Sequence, residues 1–197
     1  MADDLETLIY SLSDRQKAVF AGLNCERLLP QYEAFCRAEN WGSPAVYERG
    51  VELLYNSGLG EFHAPEAAAL LEKLDFVTPG LQEFSSPLTS YALDACIALH
   101  EALQFLTDKQ ETHVSNCATA TLDSVELFVE AYRQLNPEQR GFEAAVAADS
   151  FMQAEVARQH RLLEALLSIH EFDAAGIHQL RRLNGSGSIV DLARLPE

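Results

Sequence analysis

The chain has 197 residues, enough for a single domain that buries roughly 70% of the surface its unfolded form exposes. Thirty acidic residues against fourteen basic ones give a formal net charge of −16, which disfavours nucleic acid and anionic membranes as partners. The first residues lack a signal-peptide pattern, and no apolar run reaches the roughly 20 residues of a membrane-spanning helix. We therefore predict a cytoplasmic protein with reduced cysteines.

Helix signals recur through the first half of the chain. A short apolar stripe over residues 5–12 precedes Ser13, which is a suitable N-cap for the next helix. Pro30 lacks a backbone N–H, so the pattern predicts that this helix kinks or restarts there. Three dipeptides with proline in the first helical turn predict further helix starts. They lie at positions 43–44, 64–65 and 86–87.

The longest apolar segment runs over residues 87–106 and is interrupted by one charge, Asp94. A helix that is apolar around most of its circumference is buried, so we predict that this helix is the central one. A turn near Lys109 then leads to a second helix. Its apolar residues fall at three- and four-residue steps over residues 114–132, as one buried face requires.

The last third of the chain is also predicted to be helical. After a break at Asn136-Pro137, a long helix is expected from about Glu143, with Arg158 and Arg161 on its solvent side. We predict one all-α domain over residues 1–184, a bundle of about seven to eight helices. Residues 185–197 are predicted to be a flexible Gly/Ser linker and C-terminal tail.

Two cysteines and two histidines form the pattern that most resembles a metal site. Cys96 and His100 share one helix face, and His113 and Cys117 share another. In an antiparallel hairpin, Cys96 and His113 would lie about 13 Å apart at about 1.5 Å per residue, too far for one zinc ion. The chain also lacks a glycine-rich phosphate loop and a complete catalytic constellation. We predict no metal site and no cofactor.

Asp94 needs a partner, because a charge on an apolar helix is costly to bury alone. Arg27 is the predicted partner, since the kink at Pro30 would leave polar groups nearby. The predicted polar cluster comprises Glu26, Arg27, Tyr32, Asp94 and Glu101. It either fixes helix register or forms the floor of a ligand pocket. If Asp94 pairs with a buried cation, Asp94→Asn should destabilise the protein.

These same segments resemble the YjaG-like family, catalogued as domain of unknown function 416. The matching residues are 25–35, with the sequence CERLLPQYEAF, and 91–99, with Asp94-Ala95-Cys96 at the centre. The likeness extends from about Leu8 to Leu183. It implies an all-helical fold and a bacterial cytoplasmic setting, and it brings no established activity, substrate or cofactor.

The sequence alone does not define a function. The leading hypothesis is a non-catalytic helical module that binds another protein or itself, most simply as a symmetric homodimer. The alternative is an enzyme or small-molecule binder, its ligand unknown, with a polar pocket around Asp94, Glu101 and Arg27. Metal binding through histidines and carboxylates is a weaker third hypothesis.

Overall fold

The computed structural model describes residues 2–60, 62–169, 173–185 and 187–194, and these ranges contain helices and no strands. The all-α prediction is therefore confirmed. None of the helices in these ranges combines the length and apolarity needed to cross a bilayer. The helices are α1 (Ala2–Ser11), α2 (Asp14–Glu39), α3 (Pro44–Leu59), α4 (Ala64–Asp75), α5 (Leu88–Asp108), α6 (Glu111–Arg133), α7 (Phe142–Ala148), α8 (Ser150–Leu167) and α9 (Ala174–Asn184), followed by a short 3₁₀ turn over Leu192–Arg194.

Helix α2 begins where the sequence predicted and continues past its proline. Ser13 and Gln16 form a capping box, in which Gln16 Oε1 accepts from the Ser13 backbone N–H at 2.8 Å. Pro30 lies inside the helix, so no new helix starts there. Tyr32 and Phe35, beyond the proline, are fully buried. Their packing offsets the loss of one backbone hydrogen bond.

Helix α5 occupies the centre of the bundle, as predicted, and contacts α2, α3, α4 and α6. Its buried positions are mostly alanine and leucine, including Ala95, Leu99 and Ala102, each 0% exposed. Small alanine side chains let the neighbouring helices approach closely, while each buried leucine stabilises the fold by about 1.5–3 kcal/mol.

The connection between α5 and α6 forms a tight antiparallel hairpin. Lys109 adopts a left-handed conformation, with φ of 62°, and its N–H donates to the Phe105 carbonyl at 3.0 Å. Across the hairpin, His113 Nδ1 lies 2.7 Å from Glu101 Oε2. The predicted turn near Lys109 is confirmed, and it places α6 beside α5 for its whole length.

The long helix predicted from about Glu143 is divided into α7 and α8. Asp149 has an extended backbone, with φ of −68° and ψ of 144°, which ends α7. Its carboxylate accepts from the Phe151 N–H at 2.8 Å and so caps α8. This break accounts for a bundle with more helices than the seven or eight predicted.

The C-terminal segment reaches the body of the protein. Val190 is 3% exposed, and it belongs to the region predicted as linker and tail. Ser186 and residues 195–197, within that same prediction, lie outside the described residues. The division at residue 185 stays a prediction.

Candidate functional site

A concave groove of about 560 Å³ lies between the N-terminal end of α5 and the C-terminal end of α6. Its lining residues recur at three- and four-residue steps, so each helix turns one face toward the groove. They are Pro87 just before α5, Ser90 and Tyr91 in α5, Leu127, Glu130 and Ala131 in α6, and Gln134 and Leu135 just after α6. The α6 side spans about 12 Å at about 1.5 Å per residue. This α5–α6 groove is mainly apolar with a few polar groups, as ligand-binding clefts are.

Asp94 lies on α5 one turn beyond the groove and is half-buried. Its Oδ2 accepts a hydrogen bond from Ser124 Oγ on α6 at 2.9 Å. Burial raises the pKa of the Asp94 carboxyl from 3.8 to about 7; the hydrogen bond from Ser124 opposes this shift and the charge of Asp123 adds to it. Asp94 therefore changes its charge near neutral pH.

A buried glutamine extends this contact into the core. Gln31 is 0% exposed, and its Oε1 lies 3.3 Å from Ser124 Oγ. Among the described residues, Gln31 Nε2 has no hydrogen-bond partner. Rotating the carboxamide by half a turn lets Nε2 donate to Ser124 Oγ and leaves the hydroxyl proton for Asp94. A polar chain then runs from Gln31 through Ser124 to the margin of the groove.

Four carboxylates follow this margin, and we call them the acidic stripe: Asp94, Asp123, Glu126 and Glu130. The three on α6 are spaced at three and four residues and share one helix face. Burial raises the pKa values of Asp123 and Glu126, and for Glu126 the neighbouring carboxylates add to the shift. In the described ranges, none of the four forms an ion pair. Above neutral pH, these four carboxylates therefore concentrate negative charge that no described cation pairs with.

The predicted pairing of Arg27 with Asp94 is wrong. The partner of Asp94 is the Ser124 hydroxyl, whereas Arg27 lies beside Arg158 and Glu155. Burial, together with the charge of Arg158, lowers the pKa of Arg27. Arg27 therefore belongs to the side of the bundle formed by α2 and α8, away from the α5–α6 contact.

Glu26 and Tyr32 also have partners of their own. Glu26 accepts from the Tyr55 hydroxyl at 2.7 Å and from Arg181 Nε at 2.8 Å, which ties α2 to α3 and α9. The Tyr32 hydroxyl donates to the Val77 carbonyl at 2.8 Å. These contacts connect helices and loops around α2.

Glu101 completes the predicted set, and it bonds across the hairpin. Its Oε2 lies 2.7 Å from His113 Nδ1 and accepts from Asn116 Nδ2 at 3.0 Å. Over the ranges the structure describes, no hydrogen bond or ion pair joins any two of the five predicted residues to each other. The structure places them in separate interactions around α2 and α5.

The cysteine and histidine pairs that resembled a metal site also point to different places. Cys117 faces the core, where its Sγ lies 3.8 Å from Cys25 Sγ on α2. His113 instead contacts Glu101 and Asp108 at the end of the hairpin. Two residues on one helix thus face different surroundings.

The sequence missed a buried charged network centred on Arg158. The prediction that Arg158 faces solvent is wrong, because the side chain is 5% exposed. It donates to Glu155 at 2.7 Å, to Asn184 Oδ1 at 2.6 Å and to Asn24 Oδ1 at 2.7 Å. The available signal was spacing: Arg158 precedes the buried Leu162 by four residues. This Arg158 network joins α8 to α2 and α9.

The fold and groove define an all-α bundle built around a central helical hairpin. The family described as "protein of unknown function (DUF416)" matches residues 5–189. The chain therefore belongs to the DUF416 family, and the resemblance inferred from the sequence is confirmed.

Known proteins with similar sequences and structures support this assignment. The uncharacterised protein YjaG of Escherichia coli K12 is 26% identical over 151 residues, covering 75% of this chain and 76% of that protein. YjaG of Salmonella typhimurium matches with the same identity and coverage. A crystal structure of a DUF416 family protein from Shewanella baltica OS155 has a TM-score of 0.80 and 26% identity, covering 91% of this chain and 92% of that chain.

Proposed function

We propose that this protein is a non-catalytic helical module that binds another protein through the α5–α6 groove in the bacterial cytoplasm. One observation carries the proposal: a mainly apolar groove lies against an acidic stripe that forms no ion pair with the described residues. Apolar surface favours burial against a partner, and uncompensated carboxylates favour a cation. The two features together describe a docking surface.

The partner that fits this surface is a protein segment with lysine or arginine beside apolar side chains. The groove length of about 12 Å accommodates about two turns of a helix. Apolar side chains of the segment would lie against Tyr91 and Leu127, and its cations would face Glu130 and Asp94. Because the protein carries a net charge of −16, association with a basic partner would also be accelerated.

The alternative, an enzyme or small-molecule binder with a pocket around Asp94, Glu101 and Arg27, has less support. Arg27 lies near Arg158, and Glu101 bonds to His113 and Asn116. A ligand that used all three residues would have to bridge separate parts of the bundle. The groove offers a continuous surface instead.

A homodimer is the second candidate, and three exposed apolar side chains favour it. Phe76 is 83% exposed and Leu81 is 54% exposed, both after α4. Ile97 on α5 is 43% exposed, and α4, which ends just before Phe76, packs against α5. Light scattering after size exclusion tests this idea. A dimer that becomes a monomer in Phe76→Ser would support it, and a wild-type monomer at tens of micromolar would exclude it.

Site-specific photocrosslinking in cells tests the groove. A photoreactive amino acid at Ser90 lies in the groove, and the same amino acid at Glu72, exposed on α4, is the matched control. We expect a discrete adduct from position 90 alone, with the attached peptide containing lysine or arginine next to apolar residues. Equal adducts at both positions, or none at position 90, would contradict the proposal.

A peptide synthesised from the crosslinked segment then tests the charge. We expect Glu130→Lys to weaken binding of the peptide about tenfold. The substitution replaces a carboxylate in the groove with an ammonium group, which repels the basic peptide. Glu72→Lys makes the same change in charge outside the groove and should leave the affinity nearly unchanged. Equal affinities of the two variants would overturn the assignment of the groove.

A further inference from the structure

A separate cavity of about 720 Å³ lies between α2 and the C-terminal end of α9. Its lining residues recur at three- and four-residue steps, so one face of each helix forms a wall. They are Glu26, Leu29, Pro30 and Glu33 in α2, His178, Arg181 and Arg182 in α9, and Gly185 just after α9. The α5–α6 groove shares none of these residues. The cavity is therefore a second concave surface, with both charged and apolar walls.

Arg182 is the arginine of this cavity that has no counter-ion among the described residues. Glu26 accepts from Arg181 Nε at 2.8 Å, and Glu33 Oε2 lies 3.7 Å from Arg37 Nη1. Each carboxylate of the cavity thus has an arginine of its own. Within the described ranges, the Arg182 side chain forms no ion pair and no hydrogen bond. Its exposed guanidinium is available to a ligand.

Arg27 brings a second positive charge to the wall of the cavity. Gly185 lines the cavity without a side chain, and a Cβ at that position would lie 3.3 Å from Arg27 Nη1. Arg27 Nε is enclosed and has no hydrogen-bond partner in the described part of the chain, whereas the two terminal nitrogens are not enclosed. The guanidinium of Arg27 therefore lies directly behind Gly185, where its field reaches the cavity.

Positive charge is in excess on this side of the bundle. The carboxylate that acts on Arg27 is Glu155, and Arg158 already donates to it at 2.7 Å. Burial lowers the pKa of Arg27, and the charge of Arg158 lowers it further. The C-terminal end of α9 supplies only about half a negative charge. Salt at physiological ionic strength screens acidic residues more than about 8 Å away, so this local excess favours an anion.

The walls of the cavity select among anions. A guanidinium pairs well with a carboxylate or a phosphate, since both accept two parallel hydrogen bonds. Glu26 and Glu33 line the same cavity and would repel a doubly charged phosphate more than a singly charged carboxylate. Leu29 and Pro30 offer apolar contact to the rest of the ligand.

We propose that this cavity binds a small monocarboxylate with an apolar body. The carboxylate pairs with the guanidinium of Arg182 and is further attracted by Arg27 behind Gly185. The apolar body lies against Leu29 and Pro30. This site is independent of the α5–α6 groove, so either can be present without the other.

An NMR titration with benzoate tests the site directly. We expect saturable shifts of the amide signals of residues 26–33 and 178–185, with a Kd on the order of 1 mM for so small a ligand. Benzamide has nearly the same shape without the charge, and it should bind about tenfold more weakly. Inorganic phosphate should also bind more weakly than benzoate. Shifts without saturation, equal binding of benzoate and benzamide, or tighter binding of phosphate would overturn the proposal.

Two substitutions of exposed arginines localise the effect. Arg182→Met removes the guanidinium that lines the cavity, so benzoate should bind about tenfold more weakly. Arg161→Met makes the same change on the exposed side of α8, outside the cavity, and should leave the Kd nearly unchanged. Benzoate binding that is unchanged in Arg182→Met, in protein with a dispersed folded spectrum, would place the carboxylate elsewhere and contradict the assignment.

Discussion

The Arg158 network and the acidic stripe differ in whether their charged side chains are paired within the protein. Arg158 is 5% exposed, and its guanidinium donates to one carboxylate and two side-chain amides. The stripe gathers four carboxylates along the contact of α5 with α6, and Ser124 donates a hydrogen bond to one of them, Asp94. The first region pairs its carboxylate with arginine inside the bundle, whereas the carboxylates of the second have no cation paired to them among the described residues.

The difference separates the structural role of the Arg158 network from the binding role that we propose for the groove. A buried ion pair with satisfied hydrogen bonds holds helices together, and removing one partner leaves the other unpaired. Burial raises the pKa of Glu126, and repulsion from the neighbouring carboxylates Asp123 and Glu130 adds to the shift. Such an arrangement lowers stability in the isolated protein. A cationic partner would therefore gain the most binding free energy at the acidic stripe.

The largest predicted effect is the loss of the Arg158 side chain. Arg158→Met should lower the free energy of unfolding by about 3–5 kcal/mol, because Glu155 loses the cation that donates to it, and Asn24 and Asn184 lose a buried donor. Arg158→Lys keeps the charge but cannot reach all of the acceptors, so an intermediate loss is expected. Urea denaturation followed by circular dichroism measures both.

The matched control is Arg161→Met, on the exposed side of the same helix. It should change the free energy of unfolding by less than about 0.5 kcal/mol. A similar small effect at Arg158 would mean that the network does not hold α8 in place, and the contrast between the two regions would fail.

The second prediction is that Asp94→Asn stabilises the protein above neutral pH. The folded pKa of about 7 lies above the reference value of 3.8, so the folded state holds the proton between these values. The stability from this proton is complete below pH 3.8 and is lost as the pH rises through 7. Asparagine mimics the protonated form at every pH. We expect a gain on the order of 2 kcal/mol at pH 8 that shrinks toward pH 5.

Unfolding curves of both proteins at the two pH values measure this difference. The expected change in the free energy of unfolding has the opposite sign to the change expected for a pairing of Asp94 with Arg27. The partner of Asp94 is the Ser124 hydroxyl, so the variant does not leave a cation unpaired. If Asp94→Asn destabilises the protein at pH 8, Asp94 is ionised and paired in the folded state. The acidic stripe would then resemble the Arg158 network.

The sequence predicted the parts of the fold that depend on periodicity. The apolar residues of α5 and α6, and the turn at Lys109, follow from spacing that one helix face must satisfy. Pro30 is different, because tertiary packing of the buried residues after it outweighed its local effect. The break at Asp149 was not predicted, because it depends on the Asp149 carboxylate, which caps α8.

The partners of polar residues were harder to predict, because the sequence around a charged residue does not indicate which residue it contacts on another helix. Asp94 was correctly singled out as a charge on the central helix, since its surroundings are local in sequence. Its partner is on another helix, and the hydroxyl of Ser124 is not distinguished by composition or spacing. Arg158 was misplaced because arginine is usually exposed, although its spacing to buried leucines was available.

The smallest predicted effect concerns the hydrogen bond that Ser124 donates to Asp94 in the stripe. Ser124→Ala should destabilise the protein by about 1 kcal/mol at pH 8, because Asp94 loses its donor. It should also raise the pKa of Asp94 further, so the loss should shrink at pH 5, where the carboxyl is mostly protonated. Ser57→Ala is the control: Ser57 is equally buried and donates to the Leu53 carbonyl, so its effect should not vary with pH.

In an Asp94→Asn background the loss of stability caused by Ser124→Ala should be smaller, and a double-mutant cycle gives the coupling between Ser124 and Asp94 directly. A coupling of zero would show that the hydroxyl does not stabilise the carboxylate, and that the stripe is held by the helices alone.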